Sequence, residues 1–376
     1  MSFDVAVIGL GAMGSAALFH LARRGERVLG IDRYAPPHDH GSSHGESRII
    51  RLAYFEHPSY VPLLRRAYDN WRELERLSGD NLLTITGIVE AGPPGSPLVA
   101  GSLEACRLHK IDHTEMDGAE ISARFPAFHL LADYRGVFQK DGGYLKPERA
   151  IAAHLHLAKS HGAEILTAAT VRAIEPRAGH IAIDLDGRII EAGRVVIAAG
   201  PWIADLVPEL KPHLRLTQQT LCWYRPRNPA PFSAGKLPVF IVETEDDAVY
   251  GFPDFAGTGF KCASHRIGPD ITHASDPRHT PSAADEAPTC RFLERFMPDA
   301  LGPLAAMKTC IYTRTPDEDF ILDTSPADPR IVIASPCSGH GFKFASVIGE
   351  ILADLATAGT TPHDIARLSL SRFAVA

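Results

Sequence analysis

Cysteine is sparse in this chain of 376 residues. The six, Cys106, Cys222, Cys262, Cys290, Cys310 and Cys337, form neither a C-x-x-C pair nor a zinc-like spacing. A chain this long buries a full core without disulfide staples, so they read as free thiols in a reducing, cytoplasmic compartment. Positive charge is short as well. Lys and Arg number 38 against 45 Asp and Glu, a formal net charge of -7, which argues against the basic surface that nucleic acid requires. Long apolar runs are also missing, and none approaches the roughly 20 residues that span a bilayer. The stretch from Val5 to about Leu21 looks superficially like a secretory signal. Asp4, however, stands where a signal carries Lys or Arg, and Gly9, Gly11 and Gly14 interrupt the run. What remains is an ordinary globular composition, 45% hydrophobic and 22% charged, sufficient for one large or two medium domains.

Phe3 to Ile8 is an apolar run that predicts a buried parallel strand. Ala12 to Arg24 predicts a helix stopped by Gly25, and Val28 to Ile31 a second strand ending at Asp32, so the chain opens on a βαβ unit. Tyr60, Leu64, Ala67, Tyr68, Trp71 and Leu74 recur at helical spacing up to Gly79. Pro147 starts a helix to about His161. Strand patterns follow at 164–166, 171–174 and 181–185, then an Asp186-Gly187 hairpin turn and a buried strand at 195–199. From about 215 to 308, strands and Pro-rich loops dominate, with one helix near 286–296. The chain closes on a strand at 331–334, a Ser-Gly-His-Gly turn and a helix from about Phe342 to Leu355. Nucleotide-type βα elements at both ends and in the middle imply an α/β (α+β) protein. Its Rossmann-like domain takes residues 1–82, 141–215 and 309–376, interrupted by a mostly antiparallel β domain from 83–140 and 216–308.

Gly9-Leu10-Gly11-Ala12-Met13-Gly14 fits the dinucleotide fingerprint. The first glycine permits the tight turn, the second admits a pyrophosphate, and the third lets helix and strand pack closely. Asp32, at the end of the next strand, can hydrogen-bond both ribose hydroxyls, which argues against NADP but leaves NAD and FAD open. Two further features favour FAD. A second strand-glycine element, Val195 to Gly200, lies far downstream, and a third βα turn closes the chain. That turn, Ser338-Gly339-His340-Gly341-Phe342-Lys343-Phe344, would bring a helix N-terminus and the Lys343 cation to the pyrimidine end of a flavin ring. On the residues alone, a plain connection with a solvent-facing lysine is an equal reading.

Four blocks together carry a resemblance that spans nearly the whole chain. They are the fingerprint with Asp32-Arg33 and Pro36-Pro37; Gly41 to Arg51; Tyr250-Gly251-Phe252-Pro253 with Lys261 and His265; and Cys310-Ile311-Tyr312 through Pro316 to Phe320 and the closing turn. The chain resembles the monomeric sarcosine oxidase and N-methyltryptophan oxidase family of flavoproteins. The resemblance implies a glucose-oxidase/D-amino-acid-oxidase-like fold, an FAD cofactor and a monomer. Cys310 matches the cysteine bonded to the 8α carbon of FAD, with Cys337 the nearest rival. Arg51 and Lys343 match the pair that binds the substrate carboxylate, a task suited to arginine's planar fork. Arg48 matches an arginine at the flavin face. Lys261 matches the lysine that activates oxygen, where a cation favours charge developing on O2. Tyr250 and His265 match residues framing the substrate amine. The implied cofactor contacts are Gly9, Gly11, Gly14, Asp32, Arg33, His44, Ser47, Arg48, Val171, Gly200, Cys310, Tyr312, Gly339, Gly341, Phe342 and Lys343. The family commonly carries threonine and aspartate where this chain has Ser47 and Glu46.

The implied reaction is oxidation of a small N-methylated amino acid by O2. Cyclic secondary amino acids, glycated amino acids, or a dehydrogenase passing electrons elsewhere are the alternatives, and a non-catalytic flavin carrier is a third class. His38, His40 and His44 lie close in sequence, but their spacing is irregular and no partner set accompanies them, so no metal is expected.

Overall fold

The computed structural model describes residues 2–255, 257–265, 268–335 and 338–373. The opening unit forms as its sequence dictates: β1 (Phe3–Ile8), α1 (Ala12–Arg23) and β2 (Val28–Ile31). β1 runs parallel to β2 on one side and to the strand Arg188–Ile197 on the other. Glu164–Leu166 extends the parallel core beyond β2, and Ile331–Ser335 extends it beyond Arg188–Ile197. Arg188–Ile197 has two roles. Its first half returns antiparallel from His180–Leu185 through Asp186 (φ 53) and Gly187 (φ 91), and its second half enters the parallel core. This is the hairpin geometry for which an Asp-Gly pair is suited.

α1 lies between the helices Pro147–Ser160 and Ala345–Ala358. The contact with the latter is close, since a Cβ on Gly349 would stand 2.4 Å from that of Ala16. A second sheet of nine strands is almost wholly antiparallel. The exception is β5 (Ile88–Gly92), which pairs parallel with Val239–Glu243. A three-stranded sheet of β3 (Arg48–Ile50), Gly143–Leu145 and β4 (Leu83–Ile85) joins the layers. α2 (Val61–Ser78) ends on left-handed Gly79 and packs beside Ala345–Ala358, while α3 (Pro97–His109) covers β5. The fold class read from the sequence, a Rossmann-like layer joined to a mostly antiparallel β layer, is the one observed.

Three element boundaries differ from expectation. The strand expected from Val171 begins at Ala173. The helix expected near Glu286 begins at Ala283, because Ser282 and Asp285 form a reciprocal capping box there. The closing turn does not pass straight into an α-helix. Phe342–Phe344 is first a 3-10 turn, and the α-helix follows from Ala345.

Candidate active site

Two cavities meet end to end, sharing Ala12, Met13, Ser42 and Ser43. The first is lined by Gly9, Gly11, Asp32, Arg33, Val171 and Gly200. Gly9 needs its left-handed φ of 87, and a Cβ there would meet the Ala198 carbonyl at 2.5 Å. Gly14 lies outside the lining, beneath the turn, where a Cβ would overlap the Gly9 carbonyl at 1.7 Å. Gly11 is different. A Cβ there would touch nothing closer than Ser43 Oγ at 3.7 Å, so its lack of a side chain keeps space open. α1 has no cap from its own N-cap residue and no acid in its first turn; Ala12 N–H donates to Ser43 Oγ at 3.4 Å, and the N–H groups that follow it are left to face an anion. Asp32 accepts from the Leu10 and Tyr34 N–H groups at 2.7 and 2.8 Å, one to each carboxylate oxygen. Each oxygen keeps a lone pair for a ribose hydroxyl. A dinucleotide fits these groups.

The second cavity brings together Arg48, Arg51, Tyr250, His265, Cys310, Tyr312, Gly339, Gly341, Phe342 and Lys343. Arg48 and Arg51 both reach it because β3 ends at Ile50 and the chain then bends. Arg48 donates to the carbonyls of Ser42 and Ser47 at 3.0 and 2.9 Å and lies 3.6 Å from Cys310 Sγ. His265 sits edge-on to Tyr250, with ring centroids 6.2 Å apart, and its Nδ1 is 3.5 Å from the Tyr312 hydroxyl. Burial lowers His265 to about 4, with Arg314, Arg51 and Lys343 adding to the effect and Glu56 opposing it. It also pushes the Tyr250 hydroxyl well above its ordinary range. Both are therefore uncharged near neutral pH.

Lys261 lies behind the 45–47 loop that leads into Arg48 and does not line either cavity. Its Nζ donates to the carbonyls of Gly45 and Ser47 and to Ser47 Oγ at 2.7, 2.9 and 3.2 Å, above the Phe252 ring. Burial, with Arg48 beside it, pushes the ammonium well below the usual lysine range. Three acceptors around one nitrogen oppose that shift, since they match the three hydrogens of an ammonium. Ser47 thus faces Lys261. His44 lines a neighbouring open groove with Glu148, and burial followed by Arg48 lowers it to about 3. Neither Ser47 nor His44 is among the residues lining the two cavities. Cys337 lies outside the described residues.

Two acids and a tyrosine–histidine pair near Arg51 were missed in the sequence. Arg51 is buried, with Nη2 2.5 Å from Glu56 and Nε 2.8 Å from Glu90. Burial disfavours its charge, but the two carboxylates more than offset this and keep it protonated. Burial would raise Glu56, yet Arg51, His340 and Lys343 together hold it at about 2. Lys343 donates to the His340 carbonyl at 2.6 Å, and burial followed by Arg51 lowers it to about 7. His340 is lowered to about 3, chiefly by burial. It is neutral, pairing Nδ1 with the Tyr54 hydroxyl and Nε2 with the Glu318 carbonyl at 3.0 Å. That network assigns the proton to Nε2. A lone Glu in the apolar run Ile88-Val89-Glu90-Ala91 was the available signal for Glu90.

The profile for FAD dependent oxidoreductases matches residues 4–355. The monomeric sarcosine oxidase of Streptomyces avermitilis is 40% identical over 380 residues, covering 100% of this chain and 99% of that protein. The N-methyl-L-tryptophan oxidase of Citrobacter koseri is 34% identical over 381 residues, covering 99% of this chain and 100% of its own. Among solved structures, NikD, an amino acid oxidase of nikkomycin biosynthesis, superposes with a TM-score of 0.86 at 26% identity, covering 98% and 97% of the two chains. Glycine oxidase from Geobacillus kaustophilus, at 21% identity, shares the fold with a TM-score of 0.81 and 99% coverage of both.

Proposed function

The chain belongs to the FAD dependent oxidoreductase family, and from that premise we propose that it is an oxidase of N-methyl amino acids of the sarcosine or N-methyl-L-tryptophan kind. The reaction takes the N-methyl amino acid, O2 and water to formaldehyde, the primary amino acid and hydrogen peroxide. One observation carries the reading: a cavity suited to a dinucleotide opens into a second one where Arg51 and Lys343 meet Tyr250 and His265. FAD, when bound, accepts two electrons from the substrate C–N bond and delivers them to O2.

Gly9, Gly11, Asp32, Arg33, Val171 and Gly200 would hold the adenosine and diphosphate, and Tyr312 with the 339–343 turn would border the ring system. Cys310, whose sulfur borders the cavity, would carry the covalent bond to the 8α carbon. Arg51 and Lys343 would hold the substrate carboxylate and so fix the position of the N-methyl carbon, converting an encounter into an oriented reaction. The amine must be neutral to be oxidised, and cations around a buried cavity disfavour its protonation. Uncharged Tyr250 and His265 frame that amine without offering a competing charge. Lys261, held by Gly45 and Ser47, would favour negative charge developing on oxygen.

No helix among the described residues is long and apolar enough to cross a membrane. We propose a cytoplasmic location, from the sparse, unpaired cysteines of the sequence, and a monomer, as the family resemblance implies. A peroxide assay across sarcosine, N-methyl-L-tryptophan, proline, pipecolate and fructosyl-glycine tests the substrate class. Peroxide formed fastest from an N-methyl amino acid supports it, and peroxide formed only from the cyclic or glycated compounds overturns it.

A further inference from the structure

Glu90 is the one acid among the described residues with no exposed surface. β5 alternates, sending Val89 and Ala91 into one core and Ile88 into the other, so Glu90 occupies a position that alternation assigns to an apolar side chain. Its Oε2 accepts from the Ser102 hydroxyl of α3 at 3.0 Å. Its Oε1 stands 2.8 Å from Arg51 Nε, but that N–H points to the Ala53 carbonyl at 3.2 Å. Oε1 is therefore charge-paired yet receives no hydrogen bond. A buried carboxylate is costly without a partner, and here the partner is the arginine proposed to receive the substrate.

The surrounding charges define what Glu90 does. Arg51 and Glu56 face it from the segment after β3, Lys343 from the closing turn, and Ser102 and Cys106 from α3, while Tyr54 and His340 act on Arg51. Two cations and two carboxylates cancel. A substrate carboxylate adds a negative charge with nothing to balance it. Glu56 borders the cavity and is largely buried, whereas Glu90, fully buried beside Arg51 Nε, does not line the cavity. Of the two acids, Glu56 is held at about 2, while Glu90, through burial with Arg51 only partly opposing, is raised to about 7. Between the two acids a proton goes to Glu90; Lys343, lowered to about 7, is the other group in the cluster that can take it, and Glu90→Gln tells the two apart.

We propose that Glu90 is a positioning residue for the substrate's acid group: its buried carboxylate beside Arg51 Nε holds the guanidinium in place by charge, and it takes up a proton when a substrate carboxylate binds. This rests on the reading of Arg51 as the carboxylate receiver. Its consequence is a preference: acids bind with a proton, and their uncharged analogues do not.

Cyclopentanecarboxylate, an acid with no amine to oxidise, is the probe, and cyclopentanecarboxamide is its control. Each is titrated into the FAD-loaded enzyme across neutral and alkaline pH. Flavin absorbance reports binding, and calorimetry in buffers of different ionisation enthalpy counts protons. The wild type should take up a proton with the acid, and its affinity should fall up to about tenfold per pH unit above about 7. Glu90→Gln should flatten that slope, lower the proton count and bind the acid about tenfold more tightly at the alkaline end. A Glu90→Gln enzyme with the wild-type slope and proton count overturns the inference. Should that variant not fold, Ser102→Ala removes the bond that favours the charged carboxylate, and the break should move to higher pH; an unmoved break overturns the inference. Equal binding of acid and amide, or undiminished acid binding by Arg51→Met, removes the Arg51 reading and the inference with it. Acid-selective binding with an unaltered Glu90→Gln slope removes the inference alone.

Discussion

The guanidinium of Arg48 stands 3.6 Å from the sulfur of Cys310 while its remaining bonds hold the Ser42 and Ser47 carbonyls. A fixed cation beside a sulfur stabilises charge as that sulfur attacks an electrophile. Acid-precipitated wild-type protein should therefore stay yellow. Cys310→Ser should release the colour to the supernatant, and Arg48→Met should slow attachment when apoprotein is mixed with FAD. Colour leaving the wild type on precipitation contradicts the assignment.

Lys261→Met should separate the two halves of the reaction. Without a cation behind the 45–47 loop, the reaction with O2 should slow by about 100-fold or more, the scale expected when a preorganised charge is removed. Anaerobic bleaching of the flavin by substrate should change much less. Stopped-flow traces of each half-reaction measure both, and an oxygen rate equal to that of the wild type removes Lys261 from its proposed role.

Acid lability should be traceable to a core histidine. His154 lies between the rings of Phe19 and Trp71, and burial lowers it to about 3. In the unfolded chain it titrates near 6.5, so below that pH the unfolded state binds the extra proton and stability falls towards the folded value. At about pH 5 this one residue costs about 2 kcal/mol relative to neutral pH. His154→Phe should reduce the dependence of the unfolding midpoint on pH between about 6.5 and 5, the rest coming from other buried histidines such as His265 and His340. The same slope in the variant contradicts the assignment.

Close packing of the first and last helices gives a stability test away from the chemistry. Gly349→Ala places a methyl group where 2.4 Å separates it from Ala16 Cβ. Overpacking of this kind costs about 1–3 kcal/mol. Thermal unfolding followed by far-UV circular dichroism should show a lower midpoint, and an unchanged midpoint means the helices separate freely.

The sequence was most legible where a local rule is strict. The βαβ unit, the fingerprint glycines with Asp32, the Asp186-Gly187 hairpin and the Gly79 helix stop all follow from backbone conformations that few residues tolerate. Interactions set by long-range packing were harder to read. Glu56 and Glu90 come together at Arg51 only when the segment after β3 meets β5. Glu148 accepts from the Gly45 and Glu46 N–H groups across about a hundred residues of chain, and no periodicity announces that contact. The long strand Leu304–Arg314 was also missed: its apolar start, Leu304 to Met307, is continuous rather than alternating and lies largely exposed, although the strand presents both Cys310 and Tyr312. The 3-10 turn at Phe342 differs from a helix start by a single turn of hydrogen bonding, beyond what residue spacing resolves.

Anaerobic mixing of the FAD-loaded enzyme with sarcosine and with N-methyl-L-tryptophan, followed by admission of O2, tests the central claim most directly. The account predicts that at least one of the two bleaches the flavin, and that oxygen then restores the colour with formaldehyde and hydrogen peroxide formed in equal amounts. Flavin that stays oxidised with both compounds but is bleached by proline or a glycated amino acid would contradict it.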